Sequence, residues 1–263
     1  MRKALLIVAI LLLPLMAKAQ GTVNDLEADF GARFSASVDK KIVKGLHVVA
    51  STEFRLTDNF SSISRVDAGL GVSYKLDNIF KVGGGYLFID KMNSAGEWKD
   101  RHRFYVDGTA TFRYGDWRFS LKEKLQLTYR EYNNTYENNP YSLALKSRIK
   151  VSYKGLDDWT PYGAVEVRNV FNDPTCSATY NTATGKYTNY QFTGYNDAYF
   201  NRVRGTLGTE WKISKQHSLD FYLLGEYTYE KVLDVEKDGP TLRSLTYDQN
   251  FNAALCVGSV YSF

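Results

Sequence analysis

The stretch Trp117-Arg-Phe-Ser-Leu-Lys-Glu-Lys-Leu-Gln-Leu-Thr-Tyr-Arg130 decides the fold. Trp117, Phe119, Leu121, Leu125, Leu127 and Tyr129 share one face of an extended chain. Arg118, Ser120, Lys122, Lys124, Gln126, Thr128 and Arg130 share the other. Successive side chains of a strand point to opposite faces, so this is a strand with one apolar and one polar side. Glu123 alone breaks the apolar side and calls for a bulge or a local partner. Upstream, residues 102–114 repeat the pattern, with Phe104, Val106, Ala110 and Phe112 opposite Arg103, Asp107, Thr109 and Arg113. Gly115-Asp116 turns the chain between the two segments. Residues 26–38 alternate without exception from Leu26 to Val38.

Working outward, the same period of two marks strands near 46–57, 63–76, 80–90, 141–154, 161–171, 198–212, 217–230 and 247–263. With the three already described this makes eleven. No helical period of useful length follows the first 20 residues. The strands run 10 to 17 residues, whereas soluble sandwiches use about five or six and a membrane-crossing strand needs about 9–11. In lipid every backbone donor and acceptor must be paired, which forces such a sheet to close. The sequence therefore predicts an all-β fold, a closed antiparallel transmembrane β-barrel. A bacterial single-chain barrel ordinarily has an even number of strands, so we expect twelve, with ten as the alternative.

The connections fall into two sets. Short ones at 39–45, 77–79, 115–116, 155–160 and 213–216 alternate with 58–62, 91–100, 131–140, 172–197 and 231–246. Aromatics sort with them. Tyr114, Trp117, Tyr153, Trp159 and Trp211 lie near the short set, and Phe88, Tyr129, Tyr141, Tyr229 and Tyr247 toward the other. Two aromatic belts fit two membrane interfaces, although Tyr and Trp also favour strands in general.

Composition agrees. The 263 residues include 20 Tyr and 15 Phe but only 5 Pro, an aromatic load that opposes disorder. Met1-Arg-Lys3, a 13-residue apolar run from Ala4 to Met16 and Ala17-Lys-Ala19 form a secretory signal, with cleavage predicted before Gln20. The apolar run is too short to span a bilayer. Residues 20–263 then form one barrel domain. Removing 1–19 takes three of the 33 basic residues and none of the 29 acids, leaving 30 against 29. That balance opposes nucleic-acid binding as a default. No cofactor motif is present. Cys176 and Cys256 sit in unlike contexts, a polar loop and an apolar strand, and are expected to stay unbridged. Two Cys and three His do not make a metal cluster.

At the C-terminus, apolar residues recur at Leu255, Val257, Tyr261 and Phe263. A terminal Phe closing an alternating strand resembles the signal read by the barrel-assembly machinery of Gram-negative bacteria. Tyr261 and Phe263 are its key residues, and outer-membrane lipid and that machinery are the expected partners. Several segments also resemble one family of outer-membrane proteins from Bacteroidota, domain of unknown function 2490. They are 117–130, Arg148-Ile-Lys-Val-Ser-Tyr153, Pro161-Tyr-Gly-Ala-Val-Glu-Val-Arg-Asn-Val-Phe-Asn172, Asn201-Arg-Val-Arg-Gly-Thr-Leu-Gly208 and Tyr261-Ser-Phe263. The resemblance implies an outer-membrane barrel and no established activity, so it transfers no catalytic residue.

Candidate chemistry is sparse. His102 near the outer rim lacks a nucleophile motif, and Ser94 is its nearest serine in sequence. A lone His meets none of the requirements of a triad. His47 and His217 lie by short turns. Gly83-Gly-Gly85 lacks the Lys-Ser/Thr and the helix of a phosphate loop, and suggests a close backbone approach. The polar faces say more. Arg103, Arg113, Arg118, Lys122, Lys124, Arg130, Lys146, Arg148 and Lys150, with Lys154, come from three consecutive strands. Glu27, Asp29, Glu53, Asp220, Glu226 and Glu230 come from an opposing arc. These nine candidate pore-lining cations either fill a narrow interior with ion pairs or give a polarised pore that favours anions. Three functional readings follow: a non-enzymatic outer-membrane channel or surface-binding barrel, an outer-membrane lipid-modifying hydrolase, and a periplasmic soluble barrel holding an apolar ligand. In the last the apolar faces would point inward; alternation alone does not fix inside from outside.

Overall fold

The computed structural model describes residues 22–93, 95–130, 139–236 and 241–263; the expected signal segment, Ser94 and most of the 131–140 connection lie outside them. The elements are β1 (Thr22–Val23), β2 (Glu27–Val43), β3 (Leu46–Thr57), β4 (Ser62–Lys75), β5 (Phe80–Met92) and β6 (Trp98–Tyr114). They continue with β7 (Trp117–Arg130), β8 (Tyr141–Tyr153), β9 (Trp159–Asn181), β10 (Lys186–Lys212), β11 (His217–Val235) and β12 (Leu242–Ser262). Each strand from β2 to β12 pairs antiparallel with the next, and β12 then pairs with β2 to close the barrel. β1 is a two-residue segment that pairs with β12, Thr22 opposite Thr246, just ahead of β2.

The closing pair corrects two expectations. β12 and β2 run parallel from Asn250/Glu27 to Ser262/Asp39, so the barrel is mixed, with eleven strands rather than twelve or ten. An even count is needed only when both terminal strands are antiparallel. A parallel seam lets an odd count close and puts the start of β2 at the rim opposite the C-terminus. Antiparallel pairs are slightly more stable per residue, but here the parallel pair removes both sheet edges. Alternation carries no strand direction, so the seam was not visible in it.

The 172–197 connection, expected as a loop, is instead a hairpin formed by the outer halves of β9 and β10. Its register slips repeatedly between Thr188 and Arg202. Each slip resets which residues share a face, and this hid the strand period. β2, β6, β11 and β12 also run past the expected bounds into the 39–45, 91–100 and 231–246 connections, whereas β7 coincides with 117–130. Its odd residue, Glu123, lies on the outer face and accepts a hydrogen bond of 2.6 Å from the Ser147 hydroxyl on β8. The register there shows no bulge.

The wall turns its charged side inward. Arg33, Asp67, Glu166 and Glu226 are buried, at 4–9% exposure, whereas Phe104, Leu207, Leu223 and Leu255 are 47–70% exposed. A soluble barrel with an apolar interior requires the reverse. Rings meet at both ends of this outer wall. Trp117 packs on Tyr153, and Trp159 stacks on Trp211 at 5.4 Å, near the short turns. Tyr86, His102, Tyr129 and Tyr141 form a chain toward the other rim, where Tyr229 stacks on Tyr247.

Candidate functional site: the charged lumen

Inward positions are fixed by the ladder. On β7 and β8 the even-numbered residues face in, and cross-strand partners sit on the same side. The register therefore places Arg113, Arg118, Lys122, Lys124, Arg130, Lys146, Arg148, Lys150 and Arg103 on the inner wall. It also assembles two continuous runs of directly opposed cations. Arg33, Arg55, Arg65 and Lys91 line up across β2–β5. Lys124, Lys146, Arg168 and Arg202 line up across β7–β10. Like charges directly opposite repel, so each run needs counter-charge from an adjacent rung.

Four inward carboxylates, three of them buried, supply most of it. In the first run Arg55 pairs with Glu53, and Arg65 donates to both oxygens of Asp67 at 2.6 and 2.7 Å. In the second, Glu166 accepts Lys146 at 2.8 Å and Arg202 at 3.4 Å. Glu226 joins the two runs. It pairs with Arg204 and Arg202 on β10 and with Arg33 on β2 at 3.4 Å, reaching over the intervening β12. Its partners at β2 and β10 are 193 and 22 residues away in sequence.

Toward the short turns the wall is built differently. Gly71 and Gly85 are opposed across β4 and β5. A Cβ at either would come within 2.6–2.7 Å of the Tyr105 hydroxyl. The bare backbone lets the Tyr105 ring lie against the wall, which gives the Gly83–Gly85 run its packing role. Lys124 Nζ then sits 3.8 Å from the centre of that ring, a cation–π contact, and Lys122 Nζ is 3.2 Å from Asp107. Opposite, Lys150 sits 3.6 Å from the Tyr162 ring centre and 2.6 Å from Glu210. The Tyr162 hydroxyl donates to Asp220 at 2.9 Å. A cavity of about 380 Å³ at this mouth is lined by Lys154, Thr160, Glu210 and Lys212.

The histidines lie outside this lumen or at its edge. His102 faces outward, its Nδ1 2.7 Å from the Tyr86 hydroxyl. His47 Nδ1 is 2.8 Å from Asp39. His217 Nε2 is 3.0 Å from the Ser259 hydroxyl, a pair that sequence reasoning missed. The signal for it is the diagonal placement of two outward residues on adjacent strands. Among the described residues no carboxylate or amide bonds the other His217 nitrogen, so the pair lacks the orienting third member of a triad. Cys176 and Cys256 are free thiols, and no group of three or more His, Cys, Asp or Glu among the described residues is placed to hold a metal ion.

Two solved structures match at low similarity. One is the outer-membrane expressed OmpT of Vibrio cholerae, with 13% identity and a TM-score of 0.34 over 77% of this chain and 60% of that one. The other is the anion-selective porin from Comamonas acidovorans, with 11% identity and a TM-score of 0.33 over 85% of this chain and 55% of that one. This chain thus spans less than two thirds of either, and likeness this remote bears on neither mechanism nor substrate. No curated protein matches. A family model described as "Protein of unknown function (DUF2490)" matches residues 30–235, the segment that carries both cation runs and all four of their carboxylates, and the chain belongs to that family.

Proposed function

We propose that this protein is a non-enzymatic outer-membrane barrel whose narrow, cation-lined lumen passes small anions. The observation that carries the reading is the reversal of the two faces: exposed Phe, Leu and Val outside, buried Arg, Asp and Glu inside. An exposed apolar wall of this extent is unstable in water and suited to lipid. The aromatic groups mark its height. From Trp117 to Tyr129, at about 3.3 Å per residue and the strand tilt of about 40° usual for such barrels, the wall rises about 30 Å, a hydrocarbon thickness.

Anion preference follows from the imbalance inside. The two runs and Arg103 and Arg204 set ten cations against Glu53, Asp67, Asp107, Glu166, Glu226 and Glu230. In a narrow pore such charges are screened less than in bulk salt. Eleven strands lie between filled eight-strand barrels and the wide 16–18-strand porins, which suits passage of small solutes only.

Assembly is the partner reading. Phe263 closes the seam: its N–H donates to the Asp39 carbonyl at 3.0 Å and its own carbonyl accepts from Lys41 N at 2.9 Å. The Tyr261 and Phe263 rings pack together at 5.8 Å. The test has three readouts: fractionation with outer membranes, heat-modifiable migration, and conductance in planar bilayers. Deleting Phe263 is expected to lower the outer-membrane level; an unchanged level rejects the assembly reading. Folded protein that never conducts rejects the passage and leaves the barrel.

A further inference from the structure

The carboxylates leave hydrogen-bond donors of the second run without partners. Arg168 forms no ion pair or hydrogen bond with any described residue, and its Nε is fully buried without a partner. Arg202 also keeps a buried, unpartnered Nε, although its terminal nitrogens reach Glu166 and Glu226. Arg103, on β6, donates only its Nε, to the Thr128 hydroxyl at 2.9 Å, which leaves the ends of its guanidinium uncommitted. These three groups are in electrostatic reach of one another, with Arg65 added from β4. Arg168 and Arg202 face the lumen side by side from β9 and β10, and Arg103 from β6.

Acids near this point act on the three arginines at longer range and are shared with other groups. Asp67 is held by Arg65 and Arg55. Asp173 accepts the Tyr199 hydroxyl at 2.7 Å. Glu230 acts on Arg168 from one side and on Lys91 from across the barrel. A buried guanidinium whose N–H donors are not all taken up is costly, and three together are more so. An added oxyanion removes that cost. Guanidinium forks match the paired oxygens of phosphate or carboxylate in a way that a monatomic ion does not.

We infer that Arg103, Arg168 and Arg202 form a binding site for a small tetrahedral oxyanion inside the barrel. The inference deepens the anion-passage reading and rests on it for the route of entry. The site would act as a station at which a phosphate-like solute exchanges its water for guanidinium donors.

The test uses the full chain folded in detergent, with folding verified by heat-modifiable migration. Inorganic phosphate is titrated against chloride at matched ionic strength while the melting midpoint is followed. A ligand that binds only the folded state raises the midpoint by mass action. Phosphate is expected to raise it well beyond chloride. Arg168→Gln is expected to weaken phosphate at least tenfold, while melting in chloride no lower than the wild type because a buried repulsion is gone. Equal responses to phosphate and chloride overturn the site, as does an undiminished phosphate response in Arg168→Gln. If that variant does not fold, Arg168→Lys is read instead: it keeps the charge and loses the fork, so a weakened response supports the site and an unchanged one rejects it. Conductance is measured separately. A phosphate response without conductance rejects the passage and keeps the site; anion conductance without a phosphate response does the opposite.

Discussion

The two cation runs look alike in the ladder and differ in where their counter-charge comes from. Arg55 and Arg65 are neutralised within their own strands, by Glu53 and Asp67 two residues away. Those pairs need only β3 and β4. Lys146, Arg202 and Arg204 depend on Glu166 and Glu226 from neighbouring strands, and Glu226 also takes Arg33 from the other run. Of these contacts only Arg33–Glu226 requires that β12 has met β2; the others join the neighbouring strands β8 to β11. The first set is therefore local, the second spans neighbouring strands, and the Arg33 contact of Glu226 alone is a product of closure. Electrostatics inside this barrel specify the closed state through one carboxylate.

Glu226→Gln should break that comparison most severely. It leaves Arg33, Arg202 and Arg204 buried and under-compensated, and removing one partner of a buried ion pair costs about 3–5 kcal/mol. Glu53→Gln, on the local run, should cost clearly less because Asp67 remains within 3.9 Å of Arg55. Urea unfolding of the refolded barrel measures both. Equal losses would mean that Glu226 has no special part in closure.

Much of this was legible in the sequence and one class of fact was not. Period-two alternation located all eleven staves, and the bounds of β7 were read to the residue. The count of eleven was right as read and was spoiled by an even-number rule that assumes an antiparallel seam. Which side chains share a face was legible too: parity alone puts Lys122, Lys124 and Arg148 together, though not whether that face points inward. Pairing across the lumen was not. Arg33 meets Glu226 through the register of the whole barrel, which no local pattern encodes. Tyr105 over Gly71 and Gly85 is a contact of the same kind. Glu123 looked like an error in the pattern because its partner, Ser147, is on the next strand.

The outer faces of the two arcs should be indistinguishable, and this sharpens the contrast inside. Leu70 on β4 and Leu125 on β7 are 58% and 42% exposed, both mid-strand and outward. Arg at either position should cost about 2–4 kcal/mol in lipid. Cysteines there should react with lipid-soluble reagents and resist polar ones, and the reverse labelling would turn the wall inside out.

A smaller effect separates structure from selectivity. Arg113 and Arg118 face each other across β6 and β7 at the short-turn mouth. Neither forms an ion pair with a described residue. Arg113→Glu turns a like-charge pair into an opposite-charge one and should stabilise by about 0.2–1 kcal/mol. The bilayer reversal potential should move toward cations at the same time. A shift in selectivity with unchanged or higher stability places this pair in the conduction path and outside the closure network; loss of stability would contradict that.

The smallest expected effect lies in the turn that joins β4 to β5, beneath the local run. The exposed Asp77 side chain accepts two backbone N–H groups, from Phe80 at 2.6 Å and Ile79 at 2.7 Å. These bonds favour the charged form, the Phe80 N–H most, and hold the carboxyl below its ordinary value. A carboxylate held low contributes stability that is fully present above its unfolded-state value and is lost as pH falls through its folded-state value. Acidification should therefore weaken the turn slightly. Asp77→Asn keeps an acceptor oxygen and should remove that acid-dependent part while preserving the turn near neutral pH. Hydrogen exchange at the Ile79 and Phe80 amides reads the effect where it occurs: both should exchange faster, after correction for intrinsic rates, as the carboxyl protonates in the wild type. An equal acid response in Asp77→Asn would assign the change to another group. The contribution is local, like that of Glu53 and Asp67, so Glu226→Gln should leave it intact as long as the barrel stays folded.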